Sequence, residues 1–137
     1  MQKILVIVGS LLLLCSTQAW SANDAEESEK LTSAYVPLGK PMVLNLSSKN
    51  KRLTFLQLQA DALIKDENSE AIIKTHIPAI RHVLIVLLSE QDAIDMKSPG
   101  KREEIRSIAT NQIKELMVEL ADNRDIADIL FSSFLVQ

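Results

Sequence analysis

The closing stretch Asp125-Ile126-Ala127-Asp128-Ile129-Leu130-Phe131-Ser132-Ser133-Phe134-Leu135-Val136-Gln137 decides how this chain folds. It is apolar, β-branched and aromatic to its last residue, whereas chain ends are ordinarily polar and frayed. From Asp128 onward it carries one charged side chain and neither Gly nor Pro. Such a run must pair into a sheet or be covered by a partner, because a bare hydrophobic strand edge aggregates. Strict alternation sets Ile129, Phe131 and Leu135 on one side, and Ile126, Leu130, Phe134 and Val136 on the other. A strand apolar on both sides is either the central strand of its sheet or a strand whose second face or edge meets another subunit.

A sheet for it to join is legible upstream. In residues 53–64, Leu56, Leu58, Ala60, Ala62 and Ile64 fall on one face, with Gln57, Gln59 and Asp61 on the other. A period of two with one apolar face predicts a half-buried antiparallel strand. Residues 42–46, Met-Val-Leu-Asn-Leu, predict a short strand that forms a hairpin with it across a turn at 47–51. Before them, Pro37, Gly39 and Pro41 keep the chain extended and out of any helix.

Two helices separate the hairpin from the end of the chain. Asp66-Glu67-Asn68-Ser69 offers capping groups, and Ile73, Ile77, Ile80, Leu84, Leu87 and Leu88 then recur at helical steps up to Ser89. Pro78 lies inside this pattern and predicts a kink near residues 76–80. Val83, Ile85 and Val86 widen the apolar stripe in the second half, as in a helix covered on more than one side. Ser98-Pro99 opens a second helix over about residues 101–121. Its apolar face is Ile105, Ile108, Ala109, Ile113, Leu116, Met117 and Leu120, and Arg102, Glu103 and Arg106 fall on its solvated side. The resulting fold class is α+β, a small antiparallel sheet of hairpin plus C-terminal strand with two long helices packed on one face.

The rest of the sequence bounds location and chemistry. The length of 137 residues suits one domain. An aromatic fraction of 4%, a net charge of −3 and scattered basic residues argue against nucleic-acid binding. Residues 1–21 combine Lys3, an apolar run over 4–14 and a small, polar tail. That run falls short of the roughly 20 residues of a free membrane span. A signal peptide cleaved before Ala22 fits it, and a retained short membrane segment or a lipidated Cys15 remain as alternatives. Each puts the folded part outside the cytoplasm. Residues 22–34 read as a flexible leader and 35–137 as the folded domain.

Catalytic groups are scarce. Cys15 is the one cysteine, and it precedes the mature start expected at Ala22. His76 and His82 lie about 120° apart around a helix, without a carboxylate at a facing step. No serine sits in a Gly-x-Ser-x-Gly elbow, and Gly39 and Gly100 are isolated. No catalytic residue, cofactor or metal is therefore expected. What remains is apolar surface, and Val83, Val86, Leu87, Ile129, Phe131, Phe134 and Leu135 are the candidates for an oligomer or partner surface. Association is expected through strand edges or the apolar side of the first helix.

Several segments, in order, also carry a family likeness. They are Tyr35-Val36-Pro37-Leu38, Met42-Val43-Leu44-Asn45-Leu46, Arg52-Leu53-Thr54-Phe55-Leu56-Gln57-Leu58, His76-Ile77-Pro78-Ala79-Ile80-Arg81, Leu87-Leu88-Ser89, Gly100-Lys101-Arg102-Glu103-Glu104-Ile105-Arg106 and the closing stretch from Asp125. Over residues 35–137 the chain resembles the periplasmic domain of the FliL family of flagellar basal-body-associated proteins. The resemblance implies a stomatin/prohibitin-like domain and a homo-oligomer, as a ring around the flagellar stator. It further implies an inner-membrane association and a non-enzymatic role in stator engagement, torque and swarming. Typical members carry a longer membrane helix behind a basic stretch, and the short apolar N-terminus here departs from that. A scaffold of another envelope complex built on the same domain is the alternative.

Overall fold

The computed structural model describes residues 32–48 and 53–137. The signal or membrane segment at 1–21 with Cys15, the leader up to residue 31 and residues 49–51 of the turn expected at 47–51 lie outside the described residues. Strands β1 (Ala34–Pro37), β2 (Met42–Leu46) and β3 (Thr54–Ile64) come first, then helices α1 (Glu70–Ser89) and α2 (Pro99–Ala121), and β4 (Ile126–Val136) closes the chain. The α+β class and the layer order are as the sequence predicts, and β1 is an additional strand. Its proline-bearing segment is extended enough to pair, and Pro37 sits at its last position, where a missing donor costs little.

Every pairing between these strands is antiparallel and centres on β3. One edge of β3 is shared end to end, by β2 along Thr54–Leu58 and by β1 along Asp61–Ile64. Its other edge belongs to β4 along Leu56–Ile64. The turn between β1 and β2 is clamped from α1, where Arg81 Nη1 donates to the carbonyls of Leu38 at 2.8 Å and Lys40 at 2.7 Å. Gly39 between them has φ of 92°, a conformation that side chains with a Cβ rarely adopt.

The position and facing of β4 differ from the strict-alternation reading. It is an edge strand of this sheet, and β3 is the central one. Two register shifts, at Gln59/Ala60 and Leu63/Ile64, each insert one extra residue in β4, Ser132 and Ala127. Each β-bulge moves the following side chains to the opposite face. Val136, Phe134, Phe131, Ile129 and Ile126 therefore stand opposite Leu56, Leu58, Ala60, Ala62 and Ile64, all on the helix side. Leu135 and Leu130 go to the outer face with Gln57 and Asp61. The strand is amphipathic once the bulges are counted.

The core lies between this inner face and the helices. The buried β3 residues, with Val36, Met42, Leu44 and Leu46, meet Ile73, Ile80, Leu84 and Leu88 of α1 and Ile105, Ala109, Ile113 and Met117 of α2. Each fully buried aliphatic side chain contributes roughly 1.5–3 kcal/mol relative to exposure. α1 continues as one helix through Pro78, which cannot donate to the carbonyl one turn earlier. The start of α1 is tied to the end of α2 by a buried polar knot. Ser69 donates to Asp125, and Asn123 Nδ2 donates to Ser69 Oγ at 3.1 Å and to Asp125 Oδ2 at 3.2 Å. Asp122, at φ 46°, turns the chain out of α2 in the left-handed conformation that Asp tolerates better than most residues.

The bulged register makes a sharp distinction between neighbouring apolar residues. Ile129→Ala is expected to cost about 2–5 kcal/mol in denaturant unfolding, whereas Leu135→Ser stays within about 0.5 kcal/mol of the parent. Equal losses at the two positions would mean that the strand faces the core without bulges.

Candidate interaction surface

An edge strand leaves half of its backbone groups without a sheet partner. In an antiparallel ladder, opposed residues alternate between pairs that exchange both hydrogen bonds and pairs that exchange none. Where no bonds are exchanged, the N–H and C=O point away from the partner strand. Ile129 of β4 is such a residue, and α2 closes the edge there. Thr110 Oγ1 accepts from the Ile129 N–H at 3.1 Å, and Arg106 Nη1 donates to the Ile129 carbonyl at 3.0 Å. Asp128 stands beside them, accepting from Thr110 Oγ1 at 2.9 Å and from Arg106, which also pairs with Glu103.

The charges in this cluster are mutually adjusted. The hydrogen bond to Glu103, opposed by desolvation and joined by Asp128, raises the Arg106 guanidinium above its ordinary value. The same Arg106 holds the Glu103 carboxyl below the usual range. For Asp128, burial is the largest single influence and pushes upward. The bonds from Thr110, Arg106 and the Ile129 N–H together outweigh it and hold the carboxyl low.

One turn earlier on α2 the edge is not closed. A groove of about 270 Å³ opens there, lined by Pro99, Arg102, Glu103, Arg106, Leu130, Phe131 and Phe134. The rings of Phe131 and Phe134 stack with centroids 5.7 Å apart, and the Arg102 guanidinium lies 5.4 Å over the Phe134 ring. Arg102 Nε is enclosed and has no hydrogen-bond partner. Such an arrangement can hold an apolar side chain and a carboxylate together.

The predicted surface residues divide among separate places. Phe131 and Phe134 line the groove. Ile129 is enclosed in the core, and Val83 and Leu87 pack half-buried against it. Val86 is 46% exposed on the outer side of α1, near Ile85. Leu135, 48% exposed, belongs to the outer face of the sheet. There it shares a cross-strand row with Gln57 and Val43, which is 68% exposed. Tyr35 and Phe55 are exposed at the two ends of the same face, on which Leu63, opposite Tyr35, and Leu130, opposite Asp61, are half-buried. This face is more apolar than the solvated side of an antiparallel sheet normally is.

Sequence reading missed Arg102, Arg106 and Thr110 as site residues. Their four-residue spacing was the available signal, since it puts them on one stripe of α2 beside the buried face. Among the described residues no group of three His, Cys, Asp or Glu side chains is placed to hold a metal ion. Among the described residues one helical stretch, Glu67–Ser89, is long and apolar enough to cross a membrane by length and composition, and its inner stripe forms part of the core of this domain. The family model described as flagellar basal body-associated protein FliL matches residues 35–137. No curated protein matches the chain.

The cluster at Ile129 has a pH signature. Asp128 and Glu103 have carboxyls held low in the fold, so their stabilisation is complete above their unfolded values near pH 4. It is lost as pH falls through the folded values. Unfolding free energy is expected to decline from about pH 4 downward, and Asp128→Asn to flatten that decline while lowering stability at neutral pH. An unchanged acid slope in the variant would remove Asp128 from this role.

Proposed function

This chain belongs to the FliL family of flagellar basal body-associated proteins, and on that premise we propose how it serves the motor. It is a non-enzymatic accessory that assembles with copies of itself in the periplasm, beside or around the stator, and supports stator engagement, torque and swarming. It associates with the inner membrane at the basal body through these partners or through its own N-terminal segment. The observation that carries the basal-body role is the extent of the family match, which takes in every described strand and helix but the first residue of β1. Self-assembly draws its support from the outer sheet face. Burying Tyr35, Val43, Phe55 and Leu135 against a second copy removes from water the large apolar side chains that the two helices leave uncovered on the sheet.

Deletion of the gene tests the motor assignment. Reduced swarming, with swimming less affected, is the expected result. Unaltered swimming and swarming would transfer the same domain to another envelope complex. Assembly has its own test, because Val43 and Leu135 lie outside the core. Val43→Glu combined with Leu135→Glu should convert the oligomer to a monomer in sedimentation experiments with little loss of thermal stability. A parent chain that stays monomeric at high concentration would contradict self-association.

A further inference from the structure

The free edge of β4 and the Arg102 groove are adjacent, and together they describe a ligand. Phe55 and Gln137 exchange both backbone hydrogen bonds, at 2.8 and 2.9 Å. Alternation from that pair makes Leu135 and Ser133 bonded partners of Gln57 and Gln59, and turns the N–H and C=O of Phe134 and Val136 to the open side. Among the described residues nothing bonds these groups from that side. The bulge at Ser132 and the Arg106–Thr110 closure at Ile129 block pairing further along. The accessible edge is therefore a short regular segment at the chain's end, and it leads into the groove where Arg102 lies over Phe134.

Charge selects the occupant. Arg106 is engaged by Glu103 and Asp128, whereas Arg102 makes no ion pair among the described residues and has an enclosed Nε without a partner. A carboxylate supplies what Arg102 lacks, and the stacked Phe131 and Phe134 rings accept an apolar neighbour. We propose that the edge of β4 at Phe134–Val136 takes up an extended segment of a partner protein as an added strand, with an acidic side chain of that segment on Arg102 and an apolar one against Phe131 and Phe134. This rests on the accessory reading above and specifies the kind of partner segment it engages. Main-chain bonds to Phe134 and Val136 would supply affinity, and the Arg102 groove the choice of sequence.

The test uses the full chain, purified in mild detergent, and three fluorescent eight-residue peptides of alternating valine and serine. One central valine, on the face turned to α2 with the other valines, is replaced by serine, by aspartate or by lysine. The aspartate peptide should bind roughly tenfold more tightly than the serine peptide, and the lysine peptide more weakly. Arg102→Gln should erase the preference for aspartate. Val136→Pro removes an outward N–H that β3 does not use, so it should weaken all three peptides while leaving the melting temperature nearly unchanged. Equal binding of the three peptides, or aspartate binding that survives either substitution, would overturn the proposal. So would self-association of the chain lost in both variants, since a second copy would then occupy the edge. The readout is binding by the isolated chain, so its failure leaves the motility test of the accessory role untouched.

Discussion

Everything in this domain depends on β3 being paired on both edges at once. Among the described residues it is the one strand flanked on both sides, by β1 and β2 together on one edge and by β4 on the other. A central strand with one edge left bare would expose a row of unsatisfied N–H and C=O groups over a buried apolar face. The last residues of the chain therefore complete the central element of the fold. The Phe55–Gln137 pair fastens that end at the final residue. The constraint explains why residues 126–136 are apolar and aromatic on the side that meets the helices.

The same constraint creates the surface. β4 covers β3 and becomes an edge itself, and the structure manages that edge unevenly. Near Ile129, Arg106 and Thr110 supply the backbone partners that a further strand would have supplied. Near Phe134 the described residues supply no such cover, and Arg102 stands beside the open groups. On the sheet's outer face, Val43 and Leu135 leave an apolar strip where polar side chains would be enough for solubility. A basal-body accessory works by what it touches, and the features that serve contact here lie at the margin and back of one sheet.

Local chemistry made most of the architecture readable. The alternation of Leu56, Leu58, Ala60, Ala62 and Ile64 and the helical recurrence of Ile73, Ile80, Leu84 and Leu88 both report burial against one layer, and those residues form the core. The facing of β4 was not readable, because a bulge is set by how two strands fit across a ladder. Nothing in Ala127 or Ser132 alone marks it. The same holds for the site. Phe131 and Phe134 stand out as aromatics near a chain end, whereas Arg106 looks like any solvated helix residue until Asp128 and the Ile129 carbonyl are brought to it. Ile129, Leu135 and Val86 are similar in the sequence and end in the core, on the outer sheet face and on the outside of α1. Hydrophobicity predicted that they matter and could not distribute them.

β4 lies on β3 in a bulged register, and its outer edge is closed near its start and open near its end. Residue-resolved amide hydrogen exchange on the free chain measures this directly. Slow exchange is expected at Ile129, whose N–H is held by Thr110, and at Ser133, Leu135 and Gln137, whose N–H groups bond to β3. Fast exchange is expected at Phe134 and Val136 between them. Protection at Phe134 and Val136 with exchange at Leu135, or uniform exchange along the whole strand, would contradict this arrangement.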